Sequence, residues 1–320
     1  MKVLVTGASG FIGHALVPRL IKAGHEVVTS SRHANSGPIG TTVHPIADLG
    51  PDTDWSEALF EVEAVIHLAA RVHIMTDKAQ DPLADNRRIN TEGTRKLAKD
   101  AATAGVRHFI FMSTIKVNGE SSGLKPFCAH DLPAPKDPYA IAKLEAEEAL
   151  IQIVRHSTMR ATIIRPPLVY GPYVKGNFIS LLEICVRGWP LPFGSVNNRR
   201  SMIYVGNLVD LVHRMIQEPL PSSEIYLCRD PQDVSTPELL HKISFALGVK
   251  PLILSFPLSL LYFGASLIGK TAAISRLTES LYIDDSPTRT DLDWTPPFSM
   301  LKGLKETATW FDTQKTNWKR

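Results

Sequence analysis

Apolar residues in the first half of this chain fall in short unbroken runs rather than in alternation. Lys2–Thr6 (KVLVT), His25–Ser30 (HEVVTS), Ala64–Ala70 (AVIHLAA), His108–Ser113 (HFIFMS) and Ala161–Arg165 (ATIIR) are rich in Val, Ile, Phe and Ala, and Thr42–Ile46 is a shorter run of the same kind. Runs of this length and composition predict strands buried on both faces. Phe11–Ala23, Asn90–Ala104 and Tyr139–Ile153 lie between them and carry apolar residues at helical spacing. Strands alternating with helices predict an α/β fold, a doubly wound parallel sheet with helices on both faces. Pro166-Pro167 ends the last run, because proline cannot donate to a strand ladder.

Beyond Gly171 the pattern loosens. Pro172, Pro190, Pro192 and the polar Asn197-Asn198-Arg199-Arg200 interrupt it. We therefore expect two parts: residues 1–170 as a dinucleotide-binding domain of Rossmann type, and 171–320 as a smaller C-terminal substrate lobe with some segments returning to the sheet. Pro251–Ile268 (PLILSFPLSLLYFGASLI) is strongly apolar, barely long enough to span a bilayer and interrupted by Pro257 and Gly264. It reads as a strand, a turn at Pro257 and a buried or partner-facing helix rather than a transmembrane span. Peripheral membrane contact through 251–268 is the weaker reading.

Charge and cysteine change the picture little. The net charge is +3 and the charges are scattered, so no nucleic-acid footprint is expected. Cys128, Cys185 and Cys228 lie far apart, without metal-ligand spacing, which suits a reduced, cytoplasmic protein and predicts no metal site. Met1 runs straight into the first strand, so no signal peptide is expected.

The chemistry is carried by a few positions. Gly7, Gly10 and Gly13 stand three apart between the first strand and a helix beginning Phe11-Ile12. A helix start there offers free N–H groups and a positive dipole end to a pyrophosphate. The bland alternative is a glycine-rich turn in another α/β fold. The second strand ends in Ser30, Ser31, Arg32 and His33, where an NAD-binding fold carries a carboxylate for the ribose. With no acid there and Arg32 able to pair a 2′-phosphate, NADP(H) is favoured and NAD(H) remains the alternative; otherwise Arg32 is a solvated loop residue. Asp48-Leu49 follows the third strand, well placed for the adenine, and Arg71–Met75 leaves the C-terminal end of the fourth, where such sheets bind ligands. Tyr139 and Lys143 are four apart and share a helix face. An ammonium beside a phenol favours the phenolate and makes Tyr a usable acid and base, with Thr114 placed to hold a substrate oxygen. A surface Tyr–Lys pair is the common alternative, and the surrounding motifs argue against it.

Taken together, Gly7-x-x-Gly10-x-x-Gly13, His67-Leu68-Ala69-Ala70, Asn90-x-x-Gly93, Ser113-Thr114, Tyr139-x-x-x-Lys143, Arg165-Pro166, Val169-Tyr170-Gly171-Pro172 and Leu292-Asp293-Trp294-Thr295-Pro296 resemble the extended short-chain dehydrogenase/reductases, the nucleotide-sugar epimerases, dehydratases and reductases. The resemblance spans nearly the whole chain. It implies Thr114, Tyr139 and Lys143 as the catalytic set, with Lys143 also holding the nicotinamide ribose. Cofactor contacts would come from Gly7, Gly10, Phe11, Ile12, Gly13, Ser31, Arg32, Asp48, Leu49, Leu68, Ala69, Ala70, Tyr139, Lys143 and Pro166. Substrate contacts would come from Arg71, Ser113, Thr114, Lys116, Asn177, and two arginines, Arg200 and Arg276, able to clamp the pyrophosphate of a UDP-sugar. Ile115-Lys116 stands where the family's 4,6-dehydratases carry Asp-Glu, which argues against dehydration. The expected reaction is NADPH-dependent reduction of the C4 keto group of a UDP-linked 6-deoxy-N-acetylhexosamine in surface-polysaccharide synthesis. The alternative is a UDP-hexose or UDP-N-acetylhexosamine 4-epimerase with tightly bound NAD, and a remote one is a non-catalytic NADP-sensing protein. A homodimer fits either enzyme.

Overall fold

A computed structural model of the chain describes all residues except 33–36, 73–79, 219, 222, 268 and 319–320. In chain order the first half contains β1 Lys2–Thr6, α1 Phe11–Lys22, β2 Glu26–Ser31, β3 Thr42–Pro45, β4 Ala64–His67, α2 Pro82–Asn86, α3 Gly93–Thr103, β5 His108–Met112, α4 Pro138–Val154 and β6 Arg160–Arg165. The remainder comprises β7 Leu168–Tyr170, α5 Asn177–Arg187, β8 Met202–Tyr204, α6 Val205–Gln217, β9 Glu224–Leu227, α7 Thr236–Ala246, α8 Leu258–Leu267, α9 Thr271–Thr278, α10 Ser286–Asp291 and α11 Met300–Trp318.

The main sheet has seven strands in the order β3-β2-β1-β4-β5-β6-β9. Every neighbouring pair is parallel, and in register Thr6 faces His67, His67 faces Phe111, and Phe111 faces Ile163. The order reverses between β1 and β4, the switch point at which such sheets bind ligands beyond the strand ends. A strand's period of two sends alternate residues to opposite faces. Val3, Val5, Ile66 and Ile110 pack in one core with Leu16, Leu20, Leu208 and Val212 of α1 and α6. Leu4, Val65, Phe109 and Phe111 pack in the other with Leu97, Ala101, Ala146 and Leu150 of α3 and α4. The apolar runs are unbroken because both faces are covered. β9, from beyond residue 170, closes the sheet beside β6, while β7 and β8 form a separate parallel pair.

Two segments differ from the sequence expectation. The helix expected from Asn90 begins a full turn and more earlier: Asp81 caps α2, accepting from the N–H groups of Leu83 and Ala84, and a π-helical stretch, Arg87–Glu92, joins α2 to α3. The apolar segment after Pro251 forms α8 as the reading required, but in place of the expected strand there is an isolated bridge between Ile253 and Leu191. However, α8 is not a buried helix; of its residues only Ala265 is buried. Among the described residues no helix is long and apolar enough to cross a membrane.

Candidate active site

The glycine turn sits at the switch point. Gly7 has φ +70°, and a Cβ there would lie 2.7 Å from the backbone nitrogen of Ala69. A Cβ on Gly13 would lie 2.5 Å from the carbonyl oxygens of Gly7 and Ala8. The turn is therefore a cradle that side chains would fill. Gly10 is the N-cap of α1 and makes no side-chain capping bond, which leaves the helix start open to an anion. These features fit a dinucleotide pyrophosphate. Leu68, Ala69 and Ala70 follow β4 and are half-buried across from the turn, and Ile12 and Phe11 begin α1.

A chain of contacts links this cradle to the Tyr–Lys helix. Thr6 Oγ1 lies 2.6 Å from His67 Nδ1 and accepts from the Ala69 N–H at 3.2 Å. His67 Nε2 pairs with Thr94 Oγ1 at 3.0 Å. The His67 ring stacks on Phe111, with centroids 5.7 Å apart, and the Lys143 ammonium sits 4.1 Å from the Phe111 centroid. Burial, with Lys143 adding to it, lowers the His67 pKa to about 3, so this imidazole is a neutral strut.

Tyr139 and Lys143 share one face of α4, whose start is fixed by Asp137: its carboxylate caps the Ala140 N–H at 2.7 Å. Asp137 also takes the Lys116 ammonium, which joins α4 to the short helical turn Ile115–Val117 after β5. Thr114 begins that turn, its Oγ1 accepting from the Lys116 N–H at 3.3 Å, and the Ile115 N–H donates to the Pro166 carbonyl at 3.0 Å. Thr114 and Pro166 are thus tied together beyond the C-terminal ends of β5 and β6, with the start of α4, and so Tyr139, held to the same turn through Asp137 and Lys116. The electrostatics differ from the sequence expectation. The Tyr139 phenol is raised by burial and by Asp137, not lowered by Lys143. Burial in turn lowers Lys143 to about 7, with Glu147 opposing. The ammonium packs on an aromatic face, inside a core with little water to stabilise its charge, and so it loses part of the charge that was to act on the phenol.

Several expected contacts fall elsewhere. The Ser113 hydroxyl donates to Glu147 in a buried pair rather than facing a substrate, and Lys116 is bound to Asp137. Arg71 pairs with Asp85 at 3.6 Å, and the residues following it, from 73 to 79, lie outside the described structure. Asp48 caps its own neighbour Leu49, which is buried, and pairs with Arg88 at 3.1 Å. Ser31 ends β2, and Arg32 beyond it is exposed; His33 is outside the described residues. Asn177 is exposed at the first position of α5, whereas Phe178 is buried against Tyr170.

The side chain of Arg200 meets the backbone of Arg276. Arg200 bridges Val234 through its backbone and donates from Nη1 to the carbonyl oxygens of Arg276 at 2.5 Å and Glu279 at 3.3 Å. Asn198 braces the same place, donating to the carbonyls of Leu277 and Glu279. The segment after Glu279 then runs to the loop beyond β5: the Ser122 N–H donates to Ser280 and the Phe127 N–H to Tyr282, both at 2.9 Å. The arginine pair is thereby connected to the strand end that carries Thr114.

Two supporting residues escaped the sequence reading. Asn90 bonds both the N–H and the carbonyl of Arg71, at 2.8 and 3.0 Å, and so holds the start of the loop after β4. Glu147, with Arg165, underlies Ser113. Asn90 belonged to a quoted motif, and its position one π-turn before α3 is what aims it at the loop.

A doubly wound sheet, a glycine cradle at its switch point and a Tyr-x-x-x-Lys helix beside it define an NAD(P)-dependent enzyme of the extended short-chain dehydrogenase/reductase type. Comparison with known proteins agrees. A sequence model of the NAD dependent epimerase/dehydratase family matches residues 3–228, and the chain belongs to that family. It is 40% identical over 312 residues to a UDP-glucose 4-epimerase of Vibrio cholerae, covering 97% of this chain and 95% of that one. It is 29% identical over 266 residues to the N-acetyl-alpha-D-glucosaminyl-diphospho-ditrans,octacis-undecaprenol 4-epimerase of Escherichia coli O157:H7, covering 81% of this chain and 77% of that one. The fold is like that of MoeE5 in complex with UDP-glucuronic acid and NAD, with TM-score 0.78 at 24% identity, over 99% of this chain and 100% of the other.

Proposed function

We propose that the chain is a 4-epimerase of a UDP-hexose or UDP-N-acetylhexosamine, working with a nicotinamide dinucleotide held in the Gly7–Gly13 cradle. The observation that carries the reading is the 40% identity to a UDP-glucose 4-epimerase along 97% of the chain. Tyr139 and Lys143 on one face of α4, with Thr114 beyond the C-terminal end of β5, support it. The bound nicotinamide would supply the hydride acceptor and donor. Tyr139 Oη takes the proton from the sugar's C4 hydroxyl as C4 is oxidised and returns one when C4 is reduced on the other face. Lys143, as the ammonium beside it, would favour the phenolate form of Tyr139 that accepts this proton. Thr114 accepts or donates at the same sugar oxygen. Arg200 and Arg276 grip the diphosphate from the second lobe.

The NADPH-dependent 4-ketoreductase expected from the sequence is the second reading. Its main support is the absence of a carboxylate at Ser31–Arg32. The relatives named above weigh against it: both are 4-epimerases, and the structural relative holds NAD. A cytoplasmic location and a role in surface-polysaccharide synthesis fit both readings. The test is to denature the purified protein, identify any released dinucleotide, and assay interconversion of UDP-glucose and UDP-galactose and of their N-acetyl forms. Retained NAD with interconversion supports the epimerase. An empty site that takes NADPH and reduces a 4-keto sugar, without interconversion, overturns it.

A further inference from the structure

The apolar hairpin of the second lobe stands out from the rest of the surface. Along α8, Leu260 is 54%, Phe263 64% and Leu267 72% exposed. Leu252, Leu254 and Phe256, which lead into it, are exposed as well. A helix apolar all round is normally buried, and among the described residues nothing covers this one. It is nonetheless built in place. Leu254 and Leu191 are joined by an N–H to carbonyl bond at 2.8 Å, Ala265 is buried, and Tyr262 Oη bonds Thr278 Oγ1 at 2.7 Å across to α9.

Its charges have one sign. Between Glu238 and Glu279 the sequence has no acidic residue, while Lys242, Lys250, Lys270 and Arg276 are cations. Lys250 and Lys270 are exposed at the two ends of the apolar segment. Beside it, Trp189 is 60% exposed and carries the Arg187 guanidinium 5.4 Å from its ring centroid. Apolar side chains flanked by Trp and cations form the pattern of a segment lying in a bilayer interface. With 10 residues, α8 is about 15 Å long at helical rise, half the hydrocarbon thickness, so it lies on rather than spans the membrane. A second copy would bring like charges together on this face, which disfavours self-association there.

We propose that the α8 hairpin docks the enzyme on a membrane surface that carries anionic lipid. The inference is independent of which sugar is turned over. Its consequence follows from the chain: α9 follows α8 and is bonded to it through Thr278, and Arg276 on α9 is the residue whose carbonyl holds Arg200. Docking would set the diphosphate-binding end of the site beside the lipid surface, where membrane-bound consumers of activated sugars work.

The test is sedimentation of the full-length chain with vesicles of phosphatidylcholine alone or mixed with phosphatidylglycerol, at low and high salt. The wild type should bind the mixed vesicles and weaken on adding salt. Leu260→Glu with Phe263→Glu should weaken that binding at least about tenfold, since each removes apolar contact and adds repulsion. Both positions are exposed, so soluble turnover should be unchanged. Lys250→Glu with Lys270→Glu should remove the preference for anionic lipid while the apolar face stays intact. Failure of the wild type to bind either vesicle overturns the proposal, as does unchanged binding in both variants. A dimer in the absence of vesicles that Leu260→Glu with Phe263→Glu dissociates also overturns it, because a second copy would then be the partner.

Discussion

Replacing Glu147 by Gln should destabilise the protein severely although it keeps the side chain's shape. Glu147 and Arg165 are each 2% exposed in their side chains. Arg165 Nε and Nη2 reach the carboxylate at 2.6–3.2 Å, and Nη1 reaches Asn118 Oδ1 at 3.0 Å. Ser113 adds a further bond to Glu147. The glutamine variant loses the charge and leaves a buried guanidinium without a counter-ion. Removing one partner of such a pair costs about 3–5 kcal/mol. With a urea dependence at the upper end of about 1–3 kcal/mol per molar, the unfolding midpoint should fall by roughly 1–2 M. Arg165→Met should cost about as much, because it strands the carboxylate. The double variant removes both charges, and its loss should fall short of the sum by about 2–3 kcal/mol. Equilibrium urea unfolding followed by circular dichroism measures this, on protein stripped of dinucleotide so that ligand binding does not mask the change. Single losses within about 0.5 kcal/mol of wild type, or a double variant equal to the sum, would refute the claim that the pair acts as one buried unit.

Tyr139→Phe should lower turnover about a hundred- to ten-thousand-fold while dinucleotide binding stays near wild type, since only the proton carrier is removed; near-normal turnover takes Tyr139 out of the mechanism. Arg200→Ala should weaken UDP-sugar binding about ten- to hundred-fold with little change in cofactor retention, and equal losses of both would make the arginine structural. His67 supplies a pH dependence. Its pKa falls from 6.5 to about 3 on folding, so between those values the unfolded chain binds the extra proton. Stability is therefore full above the unfolded value and drops as pH falls, by up to about 1.4 kcal/mol per unit. A thermal midpoint that does not fall below about pH 6, or a His67→Gln variant with the same acid slope as wild type, would count against it.

Much of the fold could be read from the sequence, because buried parallel strands leave unbroken apolar runs and the glycine cradle leaves a spaced motif. What escaped was local. The helix before Asn90 was hidden by Arg87 and Arg88, which face solvent and blur the helical period, although Asp81-Pro82 carried a start signal. The missing electrostatic relation between Tyr139 and Lys143 is a matter of depth: spacing places two groups on one helix face but does not say how far burial has discharged one of them. The apolar run after Pro251 was legible as a turn and a helix, but not as to whether that helix is buried or partner-facing, since hydropathy records what a segment could bury and not whether the chain covers it.

Ketoreduction and epimerisation were also hard to separate in the sequence for a physical reason. Both use a proton carrier, a cation beside it and a hydride carrier, so Tyr139 and Lys143 are common to them. They differ in whether the sugar can present its second face while its other end stays bound. A grip on the diphosphate meets that need, because it fixes the ligand at a point remote from C4 and leaves the intervening bonds free to turn. In the proposed reading Arg200 and Arg276 would supply that grip: the Arg200 guanidinium is held on the Arg276 carbonyl, and Asn198 bonds the neighbouring Leu277 and Glu279 carbonyls. On that reading the rigid contacts would fall on the diphosphate, and Thr114 and Tyr139 would bond only the oxygen that reacts. Such a division would let the sugar turn within one binding event, as an epimerase needs.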